Sequence, residues 1–121
     1  GCKTGEAKIT KGYRLPAKYI IHTVGPVWRG GVNDEPKLLE LCYKRAIQLA
    51  EKHGASSIAF PSISTGIYNY PIELAAKIAI TTIKSELKEL PNIKEVIFCC
   101  FSQNDLKVYE AIFNECNFTN Q

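Results

Sequence analysis

At 121 residues, with 45% hydrophobic and 22% charged side chains, the chain is sized for one globular domain or a large piece of one. Its formal charge of +3 is a mild excess, and the basic residues are scattered, which favours small anions slightly and leaves no footprint for nucleic acid. No apolar run reaches transmembrane length and no signal-peptide pattern opens the sequence, so the composition points away from a membrane.

Residues 1–16 are mixed and punctuated by glycine, and read as loop with one short extended piece around Ala7 to Ile9. Lys18 to Thr23 is a β-rich run that stops at Gly25-Pro26. His22 lies inside it without a catalytic partner motif nearby, and reads as a hydrogen-bonded structural residue. Trp28, in a loop with Gly30-Gly31, reads as a packing anchor. Asn33 or Asp34 can cap a helix that starts near Glu35-Pro36. Leu38, Leu39, Cys42, Ala46, Ile47, Leu49 and Ala50 recur at helical spacing, and His53-Gly54 closes the segment.

Ile58 to Ile63 is a second strand, and its continuous apolar character predicts burial on both faces. Ile72 to Leu87 is a second long helix, with Leu74, Ala75, Ile78, Ala79, Thr82 and Ile83 on its inner stripe. Glu95 to Phe101 is a third, nearly all-apolar strand. Ser102 and Asp105 have capping-box spacing before a last helix from about Asn104 to Asn114, which buries Leu106, Val108, Tyr109, Ile112 and Phe113. Strand and helix alternate throughout, which predicts an α/β sandwich with a largely parallel sheet and a ligand beyond the carboxyl ends of its strands.

Cys2, Cys42, Cys99, Cys100 and Cys116 have no metal-like spacing, and adjacent strand residues such as Cys99 and Cys100 face opposite ways. The chain therefore calls for no metal or other cofactor, and reduced cysteines fit a cytoplasmic setting best.

Between the second strand and second helix lies Phe60-Pro61-Ser62-Ile63-Ser64-Thr65-Gly66-Ile67-Tyr68-Asn69-Tyr70-Pro71. Small residues in such a loop let several backbone N–H groups point at one spot, and the following helix adds partial positive charge. Gly66 admits a ligand without a Cβ in the way, Tyr68 and Tyr70 offer flat walls, and Pro71 suits the first helical turn. An anion, most often a phosphate, suits this arrangement.

The run Ser62 to Tyr68 followed by Tyr70-Pro71 resembles the second ligand loop of macro domains, which bind ADP-ribose. Thr4-Gly5-Glu6-Ala7, Gly12-Tyr13 and Leu15 to Pro26 are similar to that family's middle segment, and Val96 to Ser102 to its last strand. The resemblance spans nearly the whole chain and implies a three-layer α/β/α macro domain, present here as the C-terminal two-thirds of the usual domain. The first third of that domain, which carries an Asn-rich strand end and a glycine-rich loop, has no counterpart before Thr4-Gly5.

For the site, the resemblance implies that backbone amides of Ser64, Thr65, Gly66, Ile67, Tyr68 and Asn69 hold a diphosphate. Tyr68 would pack on the distal ribose and Phe101 would meet the adenine. Asn69 stands where the family usually has Gly. The implied partner is ADP-ribose or an ADP-ribosylated protein. The implied parent activity is removal of ADP-ribose from proteins or of acetyl from O-acetyl-ADP-ribose. No triad order, paired carboxylates or metal cluster supplies the chemistry from within the chain, so the catalytic residues stay unknown. A non-catalytic ADP-ribose-binding module and a fragment without ligand function are the alternatives. The resemblance also implies a strand, missing here, between Lys18–Thr23 and Ile58–Ile63. An ordered structure is expected to close that gap, by direct pairing of the two strands or with another chain or an N-terminal piece.

Overall fold

A computed structural model describes residues 2–12, 19–100 and 102–116. Four strands and three helices follow in the order β1 (Ala7–Lys11), β2 (Tyr19–Thr23), α1 (Glu35–Lys52), β3 (Ser57–Phe60), α2 (Ile72–Leu87), β4 (Glu95–Phe98) and α3 (Gln103–Glu115). β1 pairs antiparallel with β2 in the register Ala7–Thr23 to Lys11–Tyr19. β3 pairs parallel with β4 in the register Ser57–Glu95 to Phe60–Phe98.

The helices form where the apolar spacing places them. α1 starts at the Glu35-Pro36 boundary, but Asp34 at its N-cap is left-handed (φ 62°) and makes no side-chain cap bond. Glu35 takes over the local hydrogen bonding. His53 caps the other end, and Gly54 turns the chain away at φ 77°. α3 opens with half of the expected box, Ser102 Oγ accepting the Asp105 N–H at 3.1 Å.

One core lies between α1, α2 and β3, around Leu39, Tyr43, Ile47, Phe60, Ala79 and Ile83. A second lies between α2 and α3, around Ala76, Ile80, Tyr109 and Ile112. Because α2 serves both, Ala76 and Ile80 are buried, whereas Leu74 is 49% exposed. The inner stripe predicted for this helix is corrected accordingly. Leu106 likewise stays 40% exposed on α3.

Two strand expectations are overturned. β3 is not buried on both faces: Phe60 is buried, while Ser57 and Ala59 are exposed, as are Glu95 and Ile97 across the ladder. The expected direct pairing of β2 with β3 does not form either. The two pairs remain separate two-stranded sheets, and neither facing edge has a partner among the described residues. The penalty that argued for closure applies to buried backbone groups. Here the residues along the slot include exposed Tyr19, Ser57 and Ala59, so water reaches those edges.

Helix α1 also holds both pairs in place independently. Cys42 Sγ donates to the Val24 carbonyl at 3.3 Å and Arg45 to the Gly5 carbonyl at 3.1 Å on one side. Tyr43 packs on Phe60, with ring centroids 5.1 Å apart, on the other. No helix among the described residues is long and apolar enough to cross a membrane.

Candidate ligand-binding site

The slot and the predicted loop share one cavity of about 1270 Å³. Ala46 and Ala50 of α1 lie along it, with Ile21 and Thr23 from β2 and Ile58 and Ala59 from β3. Its loop end is lined by Gly25, Ile63, Ser64, Gly66, Ile67 and Tyr68.

Strand β3 ends at Phe60, just before Pro61, which cannot donate to a ladder, and the chain then folds into a compact loop. Five of its carbonyls, those of Pro61, Ser62, Ser64, Gly66 and Tyr68, accept hydrogen bonds. Tyr43 Oη, from the core, donates to the Pro61 carbonyl (3.5 Å) and accepts the Ile63 N–H (3.4 Å). Thr65 Oγ1 donates to the Ser62 carbonyl at 3.3 Å. The Tyr70 N–H donates to the Ser64 carbonyl (2.9 Å), the Asn69 N–H to the Gly66 carbonyl (3.0 Å), and the Trp28 N–H to the Tyr68 carbonyl (2.9 Å). The N–H groups of Ser64, Thr65, Gly66, Ile67 and Tyr68 make no hydrogen bond among the described residues.

Left-handed backbone at Ser64 (φ 67°) and Asn69 (φ 59°) makes this one-sided pattern feasible. Gly66 is not left-handed, and a Cβ there would meet nothing within 4 Å. It is open on the side from which a ligand would approach. Ile67 stands 91% exposed at the tip. The side-chain oxygens of Ser62 and Ser64 are buried without a hydrogen-bond partner, and that of Ser64 belongs to a residue lining the cavity. Helix α2 begins just beyond, with Pro71 at its N-cap and no side-chain cap bond over its positive end.

Of the predicted site residues, Ser64, Gly66, Ile67 and Tyr68 line the cavity. Thr65 and Asn69 belong to the same loop, but the Asn69 N–H is already bonded to the Gly66 carbonyl, which corrects its predicted place among the free amides, and Phe101 lies outside the described residues. Tyr70 is not a cavity wall. It is 2% exposed, packed on Trp28 with ring centroids 4.7 Å apart, and burial raises its phenol pKa. His22 keeps its structural reading, its Nε2 lying 3.2 Å from Thr10 Oγ1 on the neighbouring strand. Among the described residues no cluster of His, Cys, Asp or Glu could hold a metal ion.

The opposite wall, Val24-Gly25, escaped sequence reasoning. Its only signal was a glycine beside Pro26 at a strand end, where close approach of two backbones is common. Glu35 escaped as well. It is 1% exposed, and its carboxylate accepts N–H groups from Arg29 (2.7 Å), Gly31 (2.9 Å) and Asn33 (2.6 Å). Burial pushes its pKa up, but these donors outweigh that effect and hold it below the usual carboxylate value.

In α/β domains ligands sit beyond the carboxyl ends of the strands, which is where this loop lies. The macro domain family model matches residues 1–79, and the chain belongs to the macro domain family. A macro domain-containing protein of Chlorobaculum tepidum is 62% identical over 110 residues, covering 91% of this chain and 64% of that protein. The ADP-ribose glycohydrolase MACROD2 of Homo sapiens is 51% identical over 117 residues, covering 95% of this chain and 28% of that protein. The chain thus spans less than two-thirds of either relative. Among solved structures, the Oceanobacillus iheyensis macrodomain with ADP superimposes at a TM-score of 0.85, with 40% identity, over 97% of this chain and 61% of that one. A variant of the same macrodomain with ADPR gives a TM-score of 0.88 and 43% identity, over 94% of this chain and 61% of that one.

Proposed function

We propose that the chain binds ADP-ribose, with the diphosphate on the amides of Ser64 to Tyr68. The observation that carries this reading is the one-sided loop. Five of its carbonyls accept hydrogen bonds from Tyr43, Thr65, Tyr70, Asn69 and Trp28, while five successive N–H groups from Ser64 to Tyr68 have no partner among the described residues. Such a nest attracts an anion, and the Ser64 hydroxyl supplies a further donor. Tyr68, half-buried on the cavity, borders the distal ribose. Phe101, three positions beyond β4 in the sequence, is assigned to the adenine by the family resemblance. Relatives named for ADP-ribose hydrolysis and solved neighbours holding ADP or ADPR support the same ligand class.

The parent activity that fits is hydrolytic removal of ADP-ribose from proteins or deacetylation of O-acetyl-ADP-ribose. Within this chain the loop residues bind and orient, and the catalytic residues remain unassigned. The slot between β2 and β3 suits one further partner, an extended strand pairing with both open edges, supplied by another chain or by upstream polypeptide. Because slot and loop share one cavity, such a strand would form a wall of the ligand site.

Calorimetric titration with ADP-ribose tests the binding reading. The wild-type chain should bind, and Gly66→Glu, which places bulk and negative charge in the cradle, should abolish binding with the circular dichroism unchanged. Unaltered affinity in that variant would remove the loop from the site.

A further inference from the structure

We propose that Glu35 is a positioning residue for the ligand loop, acting through Trp28 on Tyr68 and Tyr70. The role rests on the ADP-ribose reading of that loop, and its first half can be measured without ligand.

Glu35 is a buried carboxylate with no cationic partner among the described residues. A buried charge of this kind persists only if hydrogen bonds replace its hydration. The three amides of Arg29, Gly31 and Asn33 do so, and they wrap residues 29–33 into a ring around the carboxylate. The ring depends on left-handed backbone at Gly30 (φ 87°), Gly31 (φ 83°) and Asp34 (φ 62°). It has no need of a metal or a second side chain.

The ring ends one residue from Trp28, which touches the ligand loop twice. Its backbone N–H donates to the Tyr68 carbonyl at 2.9 Å, and its indole packs on Tyr70. The indole also folds over Gly31, where an added Cβ would lie 3.0 Å from Trp28 Cη2. The chain of contact therefore runs from the Glu35 carboxylate through the ring to Trp28, and from Trp28 to both ends of the Tyr68–Tyr70 segment. Holding the Tyr68 carbonyl on this side keeps its ring and the Ile67 and Tyr68 amides on the cavity side. A neutral amide at position 35 would turn N–H donors toward N–H donors and open the ring.

Trp28 is the chain's only tryptophan, so its fluorescence reports the clamp directly. The experiment compares wild type, Glu35→Gln and Gly31→Ala for acrylamide quenching, circular dichroism, and calorimetric affinity for ADP-ribose and ADP. Gly31→Ala leaves the carboxylate in place and acts on the ring at Gly31 and on the seat of the indole, which guards against a Glu35 variant that fails to fold. Both variants should make Trp28 more quenchable with helix content unchanged. Affinity for ADP-ribose should fall about tenfold, within the usual range for two coupled sites, and more than affinity for ADP, which lacks the distal ribose beside Tyr68. Unchanged quenching in both variants overturns the clamp. Released Trp28 with unchanged ADP-ribose affinity, or equal losses for the two ligands, overturns the positioning role. A wild-type chain that binds no ADP-ribose instead removes the reading on which the role rests.

Discussion

Gly25 and Ser64 come together so closely that any side chain at position 25 would force Ser64 or Ile63 to shift. An added Cβ would overlap the Ser64 hydroxyl and stand 2.6 Å from Ile63 Cγ2 and 3.3 Å from Ser64 Cβ. The end of the β1–β2 pair is thereby wedged against the ligand loop. The two halves of the cavity meet at this contact.

Gly25→Ala should push the left-handed Ser64 out of place and with it the first amides of the cradle. Overpacking of this kind costs about 1–3 kcal/mol. Urea denaturation should show a loss in that range, and ADP-ribose affinity should fall in parallel. A variant of wild-type stability and affinity would mean that the two segments separate freely in solution.

Asn69 holds φ 59° while exposed at the far end of the loop. A left-handed backbone costs an ordinary L-residue about 1–2 kcal/mol, and Asn less than most. Asn69→Gly should keep stability and raise ADP-ribose affinity by clearing the approach. Asn69→Val should lose about 1–2 kcal/mol in denaturant titration. Equal stability of the Gly and Val variants would show that the turn relaxes without cost.

Tyr43 joins the core to the loop through one hydroxyl, and burial, followed by the neighbouring Tyr109 hydroxyl, raises its pKa well above the ordinary phenol value. A raised folded-state pKa contributes stability below the unfolded value of about 10, and that contribution is lost as pH rises further. The chain should therefore unfold at alkaline pH. Tyr43→Phe should blunt that loss and, at pH 7, cost about 1 kcal/mol for the missing hydrogen bonds. Identical alkaline melting curves for the two proteins would remove Tyr43 as the titrating group.

Glu35 predicts the acid side. Its carboxyl is buried, yet the backbone donors hold its pKa below the ordinary value. A depressed folded-state pKa contributes stability above the unfolded value of about 4.3, lost as pH falls through the lower folded value. Thermal melts between neutral and acid pH should drop more steeply for wild type than for Glu35→Gln. Parallel profiles would mean that the carboxylate is not charged in the fold.

Much of this protein is local and was legible in the sequence. The apolar spacing of Leu39, Cys42, Ala46 and Ala50, the Ile72–Leu87 run and the Ser102–Asp105 cap each specify a helix through neighbours three and four residues away. The small-residue loop between a strand and a helix also announces an anion cradle by itself, and its wording carries the family. What the sequence left open depends on which surfaces meet. Tyr68 and Tyr70 are two residues apart and alike in chemistry, but Trp28, some forty residues away, takes one into the core and leaves the other on the cavity. The apolar run of β3 predicts two buried faces, yet only packing decides that one face meets α1 and the other meets water. β2 and β3 do not pair with each other because α1 anchors each strand pair separately, a relation between distant contacts that no local pattern records.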